Sequence, residues 1–115
     1  MSDDIKPFHL LRHDHGKSSL FFSADAFYHD PVMVILVAGT GIDKDYFNGY
    51  AWKGIVTKFV MQEYPEVLAQ LQFDPEADMF SMIAEDHALL ERIAHQFRAF
   101  LRNGAAVEAL LMATQ

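Results

Sequence analysis

Asn48-Gly49-Tyr50-Ala51-Trp52-Lys53-Gly54-Ile55 is the stretch from which the fold can be read. Asn48 is an N-cap residue type, its short side-chain oxygen able to accept a hydrogen bond from a first-turn amide. From Trp52 onward, Ile55, Val56, Phe59 and Val60 continue the i, i+3, i+4, i+7, i+8 spacing of a helix with one buried face. Lys53, Thr57, Lys58 and Gln62 fall on the opposite side. The pattern predicts a helix from Asn48 to about Tyr64, with Trp52, the only tryptophan, in the core. Pro65 can start a further short helical turn over Glu66 to Gln70.

Hairpin signals flank this helix on both sides. Upstream, Pro7 to Arg12 and Ser18 to Ser23 read as strands joined by His13-Asp14-His15-Gly16-Lys17, which has the Asp and Gly of a turn. In the second of these strands Leu20, Phe22 and Ala24 share one face, with Ser19 and Ser23 opposite. Downstream, Leu71 to Asp74 and Met79 to Ala84 form a second hairpin around Pro75-Glu76-Ala77-Asp78. Asp86 then caps a helix, His87 to Arg102, with Leu89, Leu90, Ile93, Phe97, Phe100 and Leu101 as its core stripe. Asn103-Gly104 is expected to end it in a left-handed cap. Ala105 to Ala113 makes a last short helix with Val107, Leu110 and Leu111 on its apolar side.

The segment from Asp25 to Ala38 is ambiguous. Asp30-Pro31 suits a helix start and Gly39 a stop, but Val-Met-Val-Ile-Leu-Val suits a buried strand equally. A faint internal echo favours helix. A hairpin, Ser-Ala-Asp (23–25) and an apolar segment ending at Gly39 are followed by a hairpin, Ala-Glu-Asp (84–86) and a helix ending at Gly104. Gly39 to Phe47 reads as a loop. The expected fold is α+β: two β-hairpins forming one four-stranded, mostly antiparallel sheet, with helices packed on one face in the order ββααββαα. The whole chain, 1–115, is read as one domain, with residues 1–6 frayed.

Composition bounds what such a domain does. At 115 residues and 51% hydrophobic content it is long and apolar enough to build one core. There is no cysteine, hence no disulfide framework or thiolate chemistry. The N-terminus is acidic rather than signal-like, and the apolar run Val32 to Gly39 is too short for a bilayer, so a soluble, cytoplasmic protein without a membrane partner is expected. Sixteen acids against nine bases give a formal charge of −7, which disfavours nucleic acid and suits solubility or a basic partner.

No motif supplies a catalytic or cofactor signature. His13-Asp14-His15 offers two imidazoles and a carboxylate but no further ligand at a recognisable spacing, and reads best as a solvated turn. His87, Glu91 and His95 share one helix side without the His-Glu-x-x-His arrangement of a zinc protease. Gly39-Thr40-Gly41 lacks the Gly-Lys-Ser/Thr ending of a phosphate loop. Asp74, Glu76 and Asp78 crowd one turn, with Glu85 after the next strand. They lack the Gly-x5-Glu continuation of a calcium loop and form a negative patch for a basic partner. Tyr46, Phe47, Tyr50 and Trp52 concentrate aromatics, of which Tyr46 and Tyr50 are contact candidates.

Two of these stretches carry a resemblance. Asn48-Gly49-Tyr50-Ala51-Trp52 opening a helix, followed by Phe73-Asp74-Pro75-Glu76-Ala77-Asp78-Met79-Phe80, resembles immunity protein 51, a bacterial immunity-protein family. Pro-Phe-His-Leu-Leu-Arg-His-Asp near the start and Ala-Glu-Asp-His-Ala-Leu-Leu-Glu near the end also fit, so the resemblance spans roughly residues 7 to 102. It implies an α+β protein, encoded beside a polymorphic toxin, that binds and neutralises that toxin by occlusion rather than catalysis. It implies no catalytic residues. The contact residues expected on this reading are Asp74, Glu76, Asp78, Glu85, Tyr46 and Tyr50. Two other classes stand beside it: a small metal-dependent enzyme using the histidines, and a homodimeric ligand-binding module associating through the apolar 31–38 segment.

Overall fold

The computed structural model describes residues 5–113. Strands β1 (His9–Arg12) and β2 (Ser18–Ser23) form the first hairpin, closed by Gly16 at φ 92° and by the His13 amide donating to the Lys17 carbonyl at 2.8 Å. Helix α1 (Val32–Thr40) follows, then α2 (Gly49–Glu63), the second hairpin β3 (Gln72–Pro75) and β4 (Met79–Ala84), and helices α3 (His87–Leu101) and α4 (Gly104–Ala113). Short 3-10 turns occupy Lys44–Tyr46, inside the expected loop, and Pro65–Gln70. The sheet order is β1-β2-β4-β3, and every pairing is antiparallel. The expected α+β order is therefore the observed one.

Strand alternation decides which side of the sheet is covered. Ser18, Leu20 and Phe22 of β2 and Phe80, Met82 and Ala84 of β4 are buried. The helical layer sits on that side, with α2 and α3 as the helices that meet the strands. The intervening residues, Ser19, Phe21 and Ser23 on β2 and Met79, Ser81 and Ile83 on β4, are not buried. Registry adds His9 opposite Phe21, Leu11 opposite Ser19, Gln72 opposite Ile83 and Asp74 opposite Ser81 to this outer face.

Trp52 is the hub of the core. It is fully buried, its ring meets those of Phe22, Phe27 and Phe47 at 5.2 to 5.4 Å, and its indole N–H donates to the Ala24 carbonyl at 3.0 Å. A buried indole that keeps a hydrogen-bond partner suits this position better than any other large ring. Among the described residues no buried side-chain nitrogen or oxygen lacks a partner.

Several boundaries differ from expectation: β3 is Gln72–Pro75 rather than Leu71 to Asp74, and α1 starts at Val32 with Pro31 as its cap residue. Gly39 does not stop α1; it lies inside the helix against Leu111, and the stop is Gly41, left-handed at φ 74° with its amide on the Val37 carbonyl at 2.9 Å. Asn103-Gly104 does not end α3 in a left-handed cap, because among the described residues only Gly16 and Gly41 have positive φ. Instead Asn103 caps α4, its side-chain oxygen accepting from the Ala106 amide at 3.2 Å, and a Cβ on Gly104 would lie 2.9 Å from Ile35. β1 begins at His9 rather than Pro7. The internal echo is also partial: α3 lies on the sheet, whereas α1 packs chiefly on α4. Packing on a second helix uses up the apolar run. Val32, Met33 and Leu36 enter the core and Ile35 turns to Gly104, which leaves Val34 74% exposed.

At the N-terminus, Ile5 packs against the core and the Arg98 guanidinium donates to the Lys6 carbonyl at 2.8 Å. The remainder of the expected frayed stretch, residues 1–4, lies outside the described residues.

Candidate functional site

The helix start and the second hairpin, read as separate motifs in the sequence, form one structural unit. Asn48 caps α2 by accepting the Ala51 amide at 3.0 Å. Gly49 then lies so close to the hairpin that a Cβ would overlap the carbonyl oxygens of Glu76 and Met79. The hairpin is closed by the Glu76 amide on the Met79 carbonyl at 2.7 Å, and tied to the end of β2 by the Ala24 amide on the Asp78 carbonyl at 2.9 Å. Apart from the Asn48 cap these contacts are backbone to backbone, so the helix start, the hairpin tip and the end of β2 meet without a flexible side chain between them.

A second set of bonds pins the loop before α2 to the same end. The Tyr28 hydroxyl donates to Asp45 at 2.6 Å, and the Lys44 ammonium stands 4.2 Å from the centre of the Tyr28 ring. The hydrogen bond to the Asp45 carboxylate is the first cause that raises the Tyr28 pKa above its ordinary 10.0, followed by desolvation and by the charges of Asp45 and Asp43. Asp43 accepts the Asp45 amide at 2.9 Å, and Ser23 donates to Asp25 at 2.5 Å. Between these pieces lies a hollow of about 250 Å³ whose walls include Asp25, Tyr28, Lys44, Asp45 and Asp78.

The residues singled out from the sequence fall at different places around this unit. Asp74, Glu76 and Asp78 stand on and beside the hairpin tip. Tyr46 follows the pinned Asp45 and is 75% exposed; Tyr50 follows Gly49, is 60% exposed, and lines a separate hollow with Thr40, Ile42 and Lys58. Glu85 is not part of this group. It follows β4 at the strand's other end, on the order of 20 Å from Asp78 at the rise of an extended chain, and lines a cleft of about 600 Å³ with Lys17, Gln70 and Asp86. Sequence reading missed Asp25, Tyr28 and Asp45, because only the folded chain brings them to the hairpin tip.

His13, His15 and His87 have individual structural partners. His13 Nε2 pairs with the Ser19 hydroxyl at 2.7 Å, and its ring stacks on that of His15 at 5.1 Å. His87 Nδ1 pairs with the buried Ser18 hydroxyl at 2.8 Å, joining the start of α3 to β2. Among the described residues no three His, Asp or Glu side chains are grouped as metal ligands would be. Among them, too, no helix is long and apolar enough to cross a membrane.

No curated protein and no solved structure matches the chain. The family model of immunity protein 51 does, over residues 34–115. That match begins within α1, runs through the capped start of α2 and the acidic hairpin it rests on, and continues past both C-terminal helices. With well over half of its length so matched, the chain belongs to the immunity protein 51 family.

Proposed function

We propose that this protein binds a cognate bacterial toxin domain in the cytoplasm and neutralises it by covering its surface, without catalysis. The family match supports an immunity role. The observation that carries the choice of surface is the backbone contact of Gly49 with Glu76 and Met79. It sets the start of α2, with exposed Tyr50 next in sequence, against the hairpin that carries Asp74, Glu76 and Asp78, and supports reading them with exposed Tyr46 as one contact. Exposed tyrosines on a rigid frame make good anchors, because little side-chain freedom is lost on contact. The neighbouring carboxylates would steer a toxin with a basic surface and speed association. Glu85, at the other end of β4, contributes to the acidic field rather than to this contact.

The test is the affinity of the wild-type protein and of the Asp74→Lys/Glu76→Lys/Asp78→Lys variant for the toxin domain encoded beside the gene. Severalfold or greater weakening is expected, together with a smaller response of the association rate to salt. Equal affinity at unchanged thermal stability would remove the hairpin tip as the contact.

A further inference from the structure

We infer that the toxin contact extends from the hairpin tip onto the outer face of the sheet, with Phe21 at its centre. This deepens the proposed function and rests on it. An antiparallel sheet covered on one side ordinarily turns polar residues outward on the other. Here the outer face carries Leu11, Phe21, Met79 and Ile83 among serines, and Asp74 is the only charged residue at its outward strand positions, while Lys17, Glu85 and Asp86 border it at the Ile83 end. Leu11 is 50% exposed, and the His9 imidazole stacks on the half-buried Phe21 ring at 5.2 Å. An apolar centre depleted of charge and bordered by polar residues is the anatomy of a protein interface.

Size and charge identify the occupant. Four strands about 4.8 Å apart and six residues long or shorter present only a few hundred Å², against roughly 800 Å² per partner in a stable complex. A partner must therefore reach past the sheet. The rim at the Ser23–Met79 end carries Asp25, Glu76 and Asp78 beside Asp74 of the face; Lys44, which shares the hollow with Asp25 and Asp78, is outnumbered by these acids. The fitting surface is apolar at its centre and flanked by Lys or Arg. A second copy of this chain does not meet that description, since it would bring another net charge of −7 against the same acids.

The experiment compares wild type, Phe21→Ser and Ser81→Lys for binding to the toxin domain encoded beside the gene, with thermal unfolding and sedimentation of each protein alone. Phe21→Ser removes the central side chain. Ser81→Lys, at the position paired with Phe21, adds a charge without deleting packing. Val34→Ser on α1 serves as a control elsewhere on the surface. The expected result is at least tenfold weaker binding for both sheet variants, wild-type affinity for Val34→Ser, and monomers throughout. Wild-type affinity in Ser81→Lys and in folded Phe21→Ser would overturn the inference while leaving the proposed function standing. A wild-type dimer that Ser81→Lys dissociates would overturn it in favour of self-association. Absence of wild-type binding would overturn the proposed function, and this inference with it.

Discussion

Gly49, the first residue of α2, stands directly against the peptide of Glu76, so that a Cβ there would overlap the Glu76 carbonyl oxygen and lie 2.8 Å from its amide nitrogen. Backbone cannot yield as a flexible side chain can. Gly49→Ala should therefore destabilise the protein by about 1–3 kcal/mol, the usual range for forced overpacking. Gly54, in the same helix, is exposed with nothing near its Cβ position, and Gly54→Ala should stabilise by roughly 0.5–1 kcal/mol. Urea unfolding of the two variants should move the midpoint in opposite directions. A neutral Gly49→Ala would contradict the close docking of helix on hairpin.

Trp52 gives a second test. Trp52→Phe removes the donor to the Ala24 carbonyl and leaves space among Phe22, Phe27 and Phe47. The orphaned acceptor alone costs about 1–3 kcal/mol, so the loss measured by thermal or chemical unfolding should exceed that of an exposed substitution such as Tyr46→Phe. Because Trp52 is the only tryptophan and fully buried, native fluorescence should be blue-shifted and move red on unfolding.

Asp86 holds the start of α3 by accepting the Leu89 amide at 3.0 Å. Asp86→Ala should cost about 1 kcal/mol, read as a lowered urea midpoint, while Asp86→Asn, which keeps the acceptor, should recover most of it.

These elements show which parts of the fold were legible and which were not. Asn48, Asp86 and the stripes from Trp52 to Val60 and Leu89 to Leu101 are local signals: a cap and a helical period need no knowledge of the rest of the chain. The stops at Gly39 and Gly104 were misread because glycine has two uses. At Gly41 it supplies a left-handed turn; at Gly39 and Gly104 it makes room for Leu111 and Ile35 across a helix pair. Close approach depends on the partner element, which spacing alone does not reveal. The grouping of Asp25, Tyr28 and Asp45 with Asp78 is likewise a product of tertiary contact. The outer sheet face did leave a trace. Phe21 between serines, and Met79 and Ile83 flanking Ser81, interrupt the polar alternation expected of a strand with one wet side.

The Tyr28–Asp45 bond has a pH signature. Its acceptor is a carboxylate, so the folded state holds the phenol proton to higher pH than the unfolded chain, whose tyrosine titrates near 10.0. The stabilisation is complete below that value and fades as pH rises through the raised folded pKa. Wild type should exceed Tyr28→Phe in thermal midpoint near neutrality, and the difference should shrink above pH 10. A constant difference across that range would show that the hydroxyl bond is not its source.

Neutralisation by occupancy, as proposed, is tested most directly by titrating a candidate toxin domain from the neighbouring gene with this protein and following residual toxin activity. Activity should fall linearly to zero at one equivalent and return when the complex is dissociated. Full activity in the presence of excess protein would contradict neutralisation by occupancy, as would inactivation of many toxin molecules by one molecule of this protein.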